Sequence, residues 1–306
     1  MSSRLAVVIP CFNAAPWIAR TIDSVLDQDH PGTQVIVVDD GSTDGSVAAV
    51  RAFGDRVTLL TGPNRGACHA RNAGHAIAVE RGADYVVFLD ADDYFEGGIL
   101  AAAAGLAQAK GADMVLSDMH LEYDDGHRNL RHRYTGLIAP ETFFIGWMSG
   151  DYVNPPGILW RTSFVTEVGG WDESLARAQD LEFTLRALLS RPLIWKNDTG
   201  AAIHARINPN SITSNQSLRA LDSRFRANAG LVDKVRGTSF APAIPLICQE
   251  IYFVARAAFK AGETELGRRA LAFARAQGYR DHPGTRSHRL IAEILGLETK
   301  VRLWKR

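Results

Sequence analysis

The chain has 306 residues, 46% of them hydrophobic, enough to bury a substantial core as one large domain or as a domain with an appendage. Lys plus Arg and Asp plus Glu each total 34, so the formal net charge is zero and no overall basic field recommends nucleic acid as a partner. The three cysteines, Cys11, Cys68 and Cys248, have no paired spacing and no accompanying His cluster, which argues against a disulfide framework or a zinc site and fits a reducing cytoplasm.

In chain order, residues 5–9 read as a first strand, and the apolar run that contains them is too short for a signal-peptide core. Trp17, Ile18, Ile22, Val25 and Leu26 then share one helical face, and residues 35–38 form a second buried strand closed by two carboxylates. Ser42 and Asp44 are candidate caps for a helix over 47–53, residues 57–60 are a third strand and residues 68–81 a second long helix. A fourth strand, 85–89, runs into Asp90-Ala91-Asp92-Asp93. This alternation of short Val- and Ile-rich runs with helical segments indicates βα units around a largely parallel sheet. In such sheets ligands bind beyond the carboxyl ends of the strands.

An Ala-rich helix is expected near 99–110, and the polar stretch 117–134 as a loop or a hairpin. Asn154-Pro155-Pro156-Gly157 is a turn cluster, residues 158–160 an apolar run, and a helix starting near Gln179 carries Leu181, Leu185, Leu188 and Leu189. From Leu218 onward the pattern is nearly all helical, with Ile247, Ile251, Val254, Ala258 and Phe259 on one stripe. The most apolar stretch there, 240–259, is interrupted by Pro242, Pro245, Gln249, Glu250 and Arg256 and falls short of a membrane span.

The sharpest chemical feature is Asp90-Ala91-Asp92, two carboxylates one residue apart at a strand end. Carboxylates together with phosphate oxygens suit Mg²⁺ or Mn²⁺; Asp92 is the candidate metal ligand and Asp90 a helper or a ribose contact. Pro10, Phe12 and Asn13 after strand one, with Asp39 to Asp44 after strand two, gather polar groups and an aromatic ring where a nucleoside fits. Neither a G-x-G-x-x-G dinucleotide loop nor a P-loop is present. Arg65 and Arg71 flank a helix start, candidates to bind diphosphate or order the base, each set against an Arg that caps or pairs on the surface. Asp180 sits where helix dipoles keep a carboxylate ionised, as a base or simply as a cap. Asp172, Glu173 and Glu182 are lesser candidates. His204 is a candidate metal or phosphate ligand, set against an ordinary packed histidine. Of Trp160, Trp171 and Trp195, Trp171 is the candidate for stacking on a sugar.

Together, Val7-Val8-Ile9-Pro10-Cys11-Phe12-Asn13, Val37-Val38-Asp39-Asp40-Gly41-Ser42-Thr43-Asp44, Asn64-Arg65-Gly66 through Arg71-Asn72-Ala73-Gly74, and Asp90-Ala91-Asp92-Asp93 resemble the family 2 glycosyltransferases of the GT-A fold, over roughly the first two thirds of the chain. The resemblance implies a Rossmann-like, mostly parallel mixed sheet flanked by helices over 1–217, with a nucleotide-sugar half (1–116) and an acceptor half (117–217), followed by a helical C-terminal extension (218–306). It implies that Asp39 contacts the nucleobase and Asp92 binds Mn²⁺ or Mg²⁺, with Pro10, Phe12, Asn13, Arg65, Arg71, Asp90 and Ala91 on the donor side. Gly169-Gly170-Trp171-Asp172-Glu173 and Gln179-Asp180-Leu181-Glu182-Phe183 resemble the acceptor-side motif, which makes Asp180 the catalytic base and Trp171, Asp172 and Glu173 acceptor contacts. Gln179 stands where Glu is common. His204 to Ser211 resembles a further motif, with Asn208 at the usual His position.

The implied activity is inverting transfer of a sugar from a nucleotide diphosphate, most often UDP, to a glycan or lipid-linked acceptor in cell-surface polysaccharide synthesis. The rivals are an inactive binding protein on the same fold and a sugar-nucleotide nucleotidyltransferase, whose glycine-rich phosphate loop is missing here. The expected location is the cytoplasm or the inner face of the membrane. The helical tail is a candidate dimer surface, and Lys300, Arg302, Trp304, Lys305 and Arg306 are candidates for contact with acidic lipid, set against a solvated terminus.

Overall fold

The structure, a computed structural model, describes residues 3–28, 30–123, 125–130, 133–205, 217–283, 285, 292–293 and 296–303. The chain divides into two compact units, residues 1–173 with 190–209 and residues 174–189 with 210–306.

The first unit is built on a sheet of ten strands among the described residues. Strands β1 (Leu5–Cys11), β2 (Gln34–Asp39), β3 (Val57–Thr61) and β4 (Tyr85–Phe88) are mutually parallel in the order β3-β2-β1-β4. β1, β2 and β4 are almost wholly buried, which is what helix-covered parallel strands demand of a sequence. Helices α1 (Ile18–Leu26), α2 (Ser46–Arg51) and α3 (Ala67–Glu80) connect them. α3 comes so close to the sheet that a Cβ on Gly74 would lie 2.3 Å from Val8 Cγ1, so only glycine fits there. The register pairs Cys11 with Asp39 and Asp39 with Thr61, bringing the carboxyl ends of β1, β2 and β3 level.

The sheet continues through β5 (Tyr94–Glu96), β6 (Met114–Glu122), β7 (Arg128–Leu130), β8 (Leu137–Ile138), β9 (Ile158–Arg161) and β10 (Ile194–Ala205). Beyond β4 the order is β9-β6-β10-β5, with β9 antiparallel to both neighbours, β6 and β10 parallel, and β5 antiparallel on β10. The sheet is therefore mixed. The polar stretch expected as a loop or hairpin is β6 running into β7 as an antiparallel pair. α4 (Ile99–Lys110) lies at its expected place. α5 (Pro140–Met148), with proline in its first turn, and α6 (Thr162–Glu167) add helices that the sequence pattern did not announce.

The second unit contains α7 (Gln179–Leu188), α8 (Leu218–Val235), α9 (Ile244–Ala261), α10 (Thr264–Ala276) and α11 (Leu297–Leu303). The expectation kept residues 117–217 together, whereas α7 groups with the C-terminal helices. Its apolar face, Phe183, Leu185 and Leu188, is buried, and Lys234 of α8 reaches its Glu182. Ser217 caps α8 by accepting the Ala220 N–H at 3.3 Å, and the stripe Ile247, Ile251, Val254, Ala258 and Phe259 is buried along α9. No helix among the described residues is long and apolar enough to cross a membrane. Lys300, counted above among cations open to acidic lipid, is instead buried at 7% exposure; residues 304–306 lie outside the described residues.

Candidate active site

Where β1 and β2 end, the two oxygens of Asp39 do different things. Oδ2 accepts the backbone N–H groups of Gly41 and Ser42 at 3.2 and 3.1 Å, while Oδ1 is buried with no hydrogen-bond partner among the described residues. Asp40, which sequence reasoning passed over, accepts the N–H groups of Arg65 at 2.7 Å and Gly66 at 2.8 Å and so anchors the start of α3. Gly41, next in the chain, holds φ +80°, and a Cβ there would meet Asn64 N at 2.8 Å.

Asn13 adopts a left-handed φ of 49° and locks the first loop to the second: its Oδ1 accepts from Thr43 N at 2.8 Å, and its N–H donates to Ser42 Oγ at 2.9 Å. Ser42 thus serves the first loop and does not cap α2. Asp44 does reach the first turn, accepting from Ser46 N at 2.9 Å. Phe12 stands 51% exposed beside this loop. Burial, with the nearby Asp39 charge, pushes the Cys11 thiol up to about 12.

At the end of β4 each carboxylate has distinct company. Asp90 Oδ1 lies 2.6 Å from Arg71 Nη2, and Arg71, 4% exposed, stacks over the Trp171 ring at 4.5 Å. Asp93 is fully buried; both its oxygens lie 3.0 Å from His204 Nδ1, and Oδ1 also accepts the Ala205 N–H. Burial pushes Asp93 up to about 7 against the pull of His204. For His204, burial favours the neutral ring, but Asp93, with Asp90 and Asp92, outweighs it and raises the pKa to about 9. His204 was expected as a metal ligand. In the structure its Nδ1 is instead engaged by both carboxylate oxygens of Asp93. Asp92 is partly exposed at the turn, and its backbone oxygen accepts from Arg20 Nη2 at 2.9 Å. Among the described residues no three His, Cys, Asp or Glu side chains gather to hold a metal ion.

The acceptor-motif residues of the first unit are tied to α3. Asn72 bonds the backbone of Trp171 from both sides, accepting its N–H and donating to its carbonyl, each at 2.9 Å. Trp171 is 3% exposed, packed edge-on against Phe88 at 5.3 Å, so its ring is a wall of the core and presents no face to a sugar. Trp160 is likewise core, and Trp195 lies under Lys110. Glu173 accepts from Asn72 at 3.0 Å, with His69 at 3.2 Å and Arg65 at 3.7 Å. The Asn72 bond, with His69 and Arg65 beside it, holds its carboxyl below the usual range. Asp172 is exposed.

In the second unit Asp180 lies in the first turn of α7. The N-cap is Ala178, at a left-handed φ of 62°, so Asp180 is not the cap. Glu182 is 7% exposed and bound to Arg186 at 2.7 Å and Lys234 at 3.6 Å, a structural ion pair. Gln179 donates to Leu175 O at 2.9 Å. Of the motif from His204 to Ser211, residues 206–211, Asn208 included, lie outside the described residues.

The Glycosyl transferase family 2 model matches residues 6–163, just over half of the chain. The chain is 32% identical over 140 residues to glycosyltransferase GlyG of Streptococcus pneumoniae, covering 44% of this chain and 45% of GlyG. It is 28% identical over 194 residues to the poly(ribitol-phosphate) beta-N-acetylglucosaminyltransferase TarS of Staphylococcus aureus, covering 61% and 33%. The matches thus span less than half the length of either relative. Among solved structures, TarS 1-349 in complex with UDP-GlcNAc superposes with a TM-score of 0.74 at 20% identity, over 99% of this chain and 91% of that one. Mannosyltransferase PcManGT from Pyrobaculum calidifontis, in complex with GDP-Man and Mn²⁺, gives 0.58 at 20% identity, over 99% and 83%. At these identities the likeness shows the fold, the mixed α/β GT-A arrangement with C-terminal helices.

Proposed function

The chain belongs to glycosyl transferase family 2, and from that premise we propose that it transfers a sugar from a nucleotide diphosphate donor, a UDP-sugar, to a glycan or lipid-linked acceptor in polysaccharide synthesis, with inversion at the anomeric carbon. The observation that carries the donor assignment is Asp39 Oδ1, a buried carboxylate oxygen lacking a partner among the described residues at the carboxyl end of a parallel strand. Such an oxygen is stabilised by a ligand N–H, and the imide of uracil offers one. Phe12, exposed nearby, supplies an aromatic face for a base. UDP-GlcNAc in TarS supports the same nucleotide.

A divalent cation fits the turn after β4. Its side chains include hard carboxylates, Asp92 among them is partly exposed, and a site with few protein ligands suits ions that keep water and phosphate oxygens in their shell. Asp92 would hold Mn²⁺ or Mg²⁺, with Asp90 fixed beside it by Arg71. When bound there, the cation supplies positive charge to the departing diphosphate. Asp180 takes the proton of the acceptor hydroxyl as that oxygen attacks the anomeric carbon and the bond to diphosphate breaks; it stands in the first turn of α7, where amide dipoles favour a carboxylate.

The test is a screen of nucleotide sugars for donor turnover with Mn²⁺, repeated on two variants. Asp180→Asn is expected to lower turnover by roughly 10²- to 10⁴-fold while retaining UDP binding. Asp92→Ala is expected to lose the Mn²⁺-stimulated part of that binding. Wild-type turnover in Asp180→Asn would remove the base from the scheme, and a chain that turns over no nucleotide sugar, whether or not it binds one, is the inactive rival.

A further inference from the structure

Helix α1 grips the turn after β4 through its backbone oxygens. Thr21 is fully buried, with Oγ1 2.9 Å from Ala91 O and 2.7 Å from Asp93 O, so one hydroxyl hydrogen is shared between two carbonyls. Arg20, an exposed residue, donates to Asp92 O at 2.9 Å while its guanidinium lies 4.4 Å over the Tyr94 ring. One turn further along, Ser24 Oγ accepts the Phe95 N–H at 3.1 Å. Three consecutive carbonyls, those of Ala91, Asp92 and Asp93, therefore accept from side chains of one helix. Within the turn, the backbone adds a bond from Asp93 N to Asp90 O at 3.0 Å.

A carboxylate on a turn points where its peptide planes send it. We infer that Thr21 and Arg20 are positioning residues for Asp92, holding the peptide groups on either side of it so that its carboxylate faces the cation and diphosphate of the donor; this rests on the metal role proposed for Asp92. Both act through Asp92, as outer-shell groups do in orienting the ligands they support. Thr21→Val keeps the shape but leaves two buried carbonyls without their donor, whereas Thr21→Ser keeps the hydroxyl. Arg20→Ala alters an exposed side chain and leaves the core alone.

Mn²⁺ is titrated calorimetrically into the full chain with UDP saturating, and UDP binding is measured separately in the presence of EDTA. Thr21→Val and Arg20→Ala are expected to weaken Mn²⁺ binding about tenfold or more, to keep metal-free UDP affinity within about twofold, and Thr21→Ser to restore wild-type behaviour. Wild-type Mn²⁺ affinity in either folded variant overturns the inference, as does an equal loss of metal-free UDP binding, which marks general damage. If Thr21→Val does not fold, Arg20→Ala decides alone. Asp92→Ala is run alongside: wild-type Mn²⁺ binding in that variant shows that the metal role of Asp92 is itself wrong, a failure distinct from that of the helix α1 contacts.

Discussion

Asp39 divides two tasks between two oxygens, and a single substitution separates them. In Asp39→Asn the amide oxygen can still accept from Gly41 and Ser42 while the NH₂ group faces the place where the ligand N–H is expected. A donor then opposes a donor. Calorimetry is expected to show UDP affinity lower by about 10- to 100-fold, the range for a hydrogen bond to a charged group, with urea stability nearly unchanged; equal affinity would remove the nucleobase contact. Asp39 was legible because it ends a continuous Val-Ile run, and Asp90 and Asp92 for the same reason. Asp40, Thr21 and Asn72 were not, because a side chain that grips distant backbone leaves no spacing in the sequence. Trp171 was overread: composition marks it as sticky, but burial beside Arg71 decides what it does.

At the scale of elements, β1, β2 and β4 were readable because strands buried on both faces need uninterrupted apolar runs. β10 was not. Its sequence Ile194 to Ala205 contains Lys196, Asn197, Asp198, Thr199 and Gly200, and its pairing with β6 shifts register between Lys196 and Ala201, so neither alternation nor a continuous run survives. β5 has three residues, too few for any period. Two helical glycines make a matched test of packing. Gly74→Ala puts a methyl 2.3 Å from Val8 Cγ1 and 3.3 Å from Val38 Cγ2, and should cost about 1–3 kcal/mol by urea denaturation. Gly105→Ala, in α4 with nothing within 4 Å of the new Cβ, should stabilise by about 0.5–1 kcal/mol. Equal effects in the two would deny that α3 is wedged against the sheet.

For the whole molecule, pH acts through buried titrating groups. Burial lowers the pKa of His75, whose Nε2 lies 3.1 Å from Thr162 O, so the folded chain keeps it neutral where the unfolded chain, at 6.5, takes up a proton. Its contribution is complete above pH 6.5 and is lost as pH falls below that value, by at most about 1.4 kcal/mol per pH unit for one proton. His75→Gln can still donate to Thr162 and does not titrate, so urea midpoints between pH 7.5 and 5 should fall less for the variant than for the wild type; parallel curves would contradict this. The assignment of α7 to the helical unit escaped the sequence because amphipathic periodicity names the face a helix buries and leaves its partner unnamed. One further property follows from where the cysteines lie. All three are buried and in no disulfide, and Cys11, beside the proposed nucleotide contact, stays protonated at neutral pH. Toward thiol-directed reagents the native cysteines are therefore nearly silent, and a cysteine engineered on the surface would be a single reactive handle for fluorophores or spin labels, with no native cysteine to remove first.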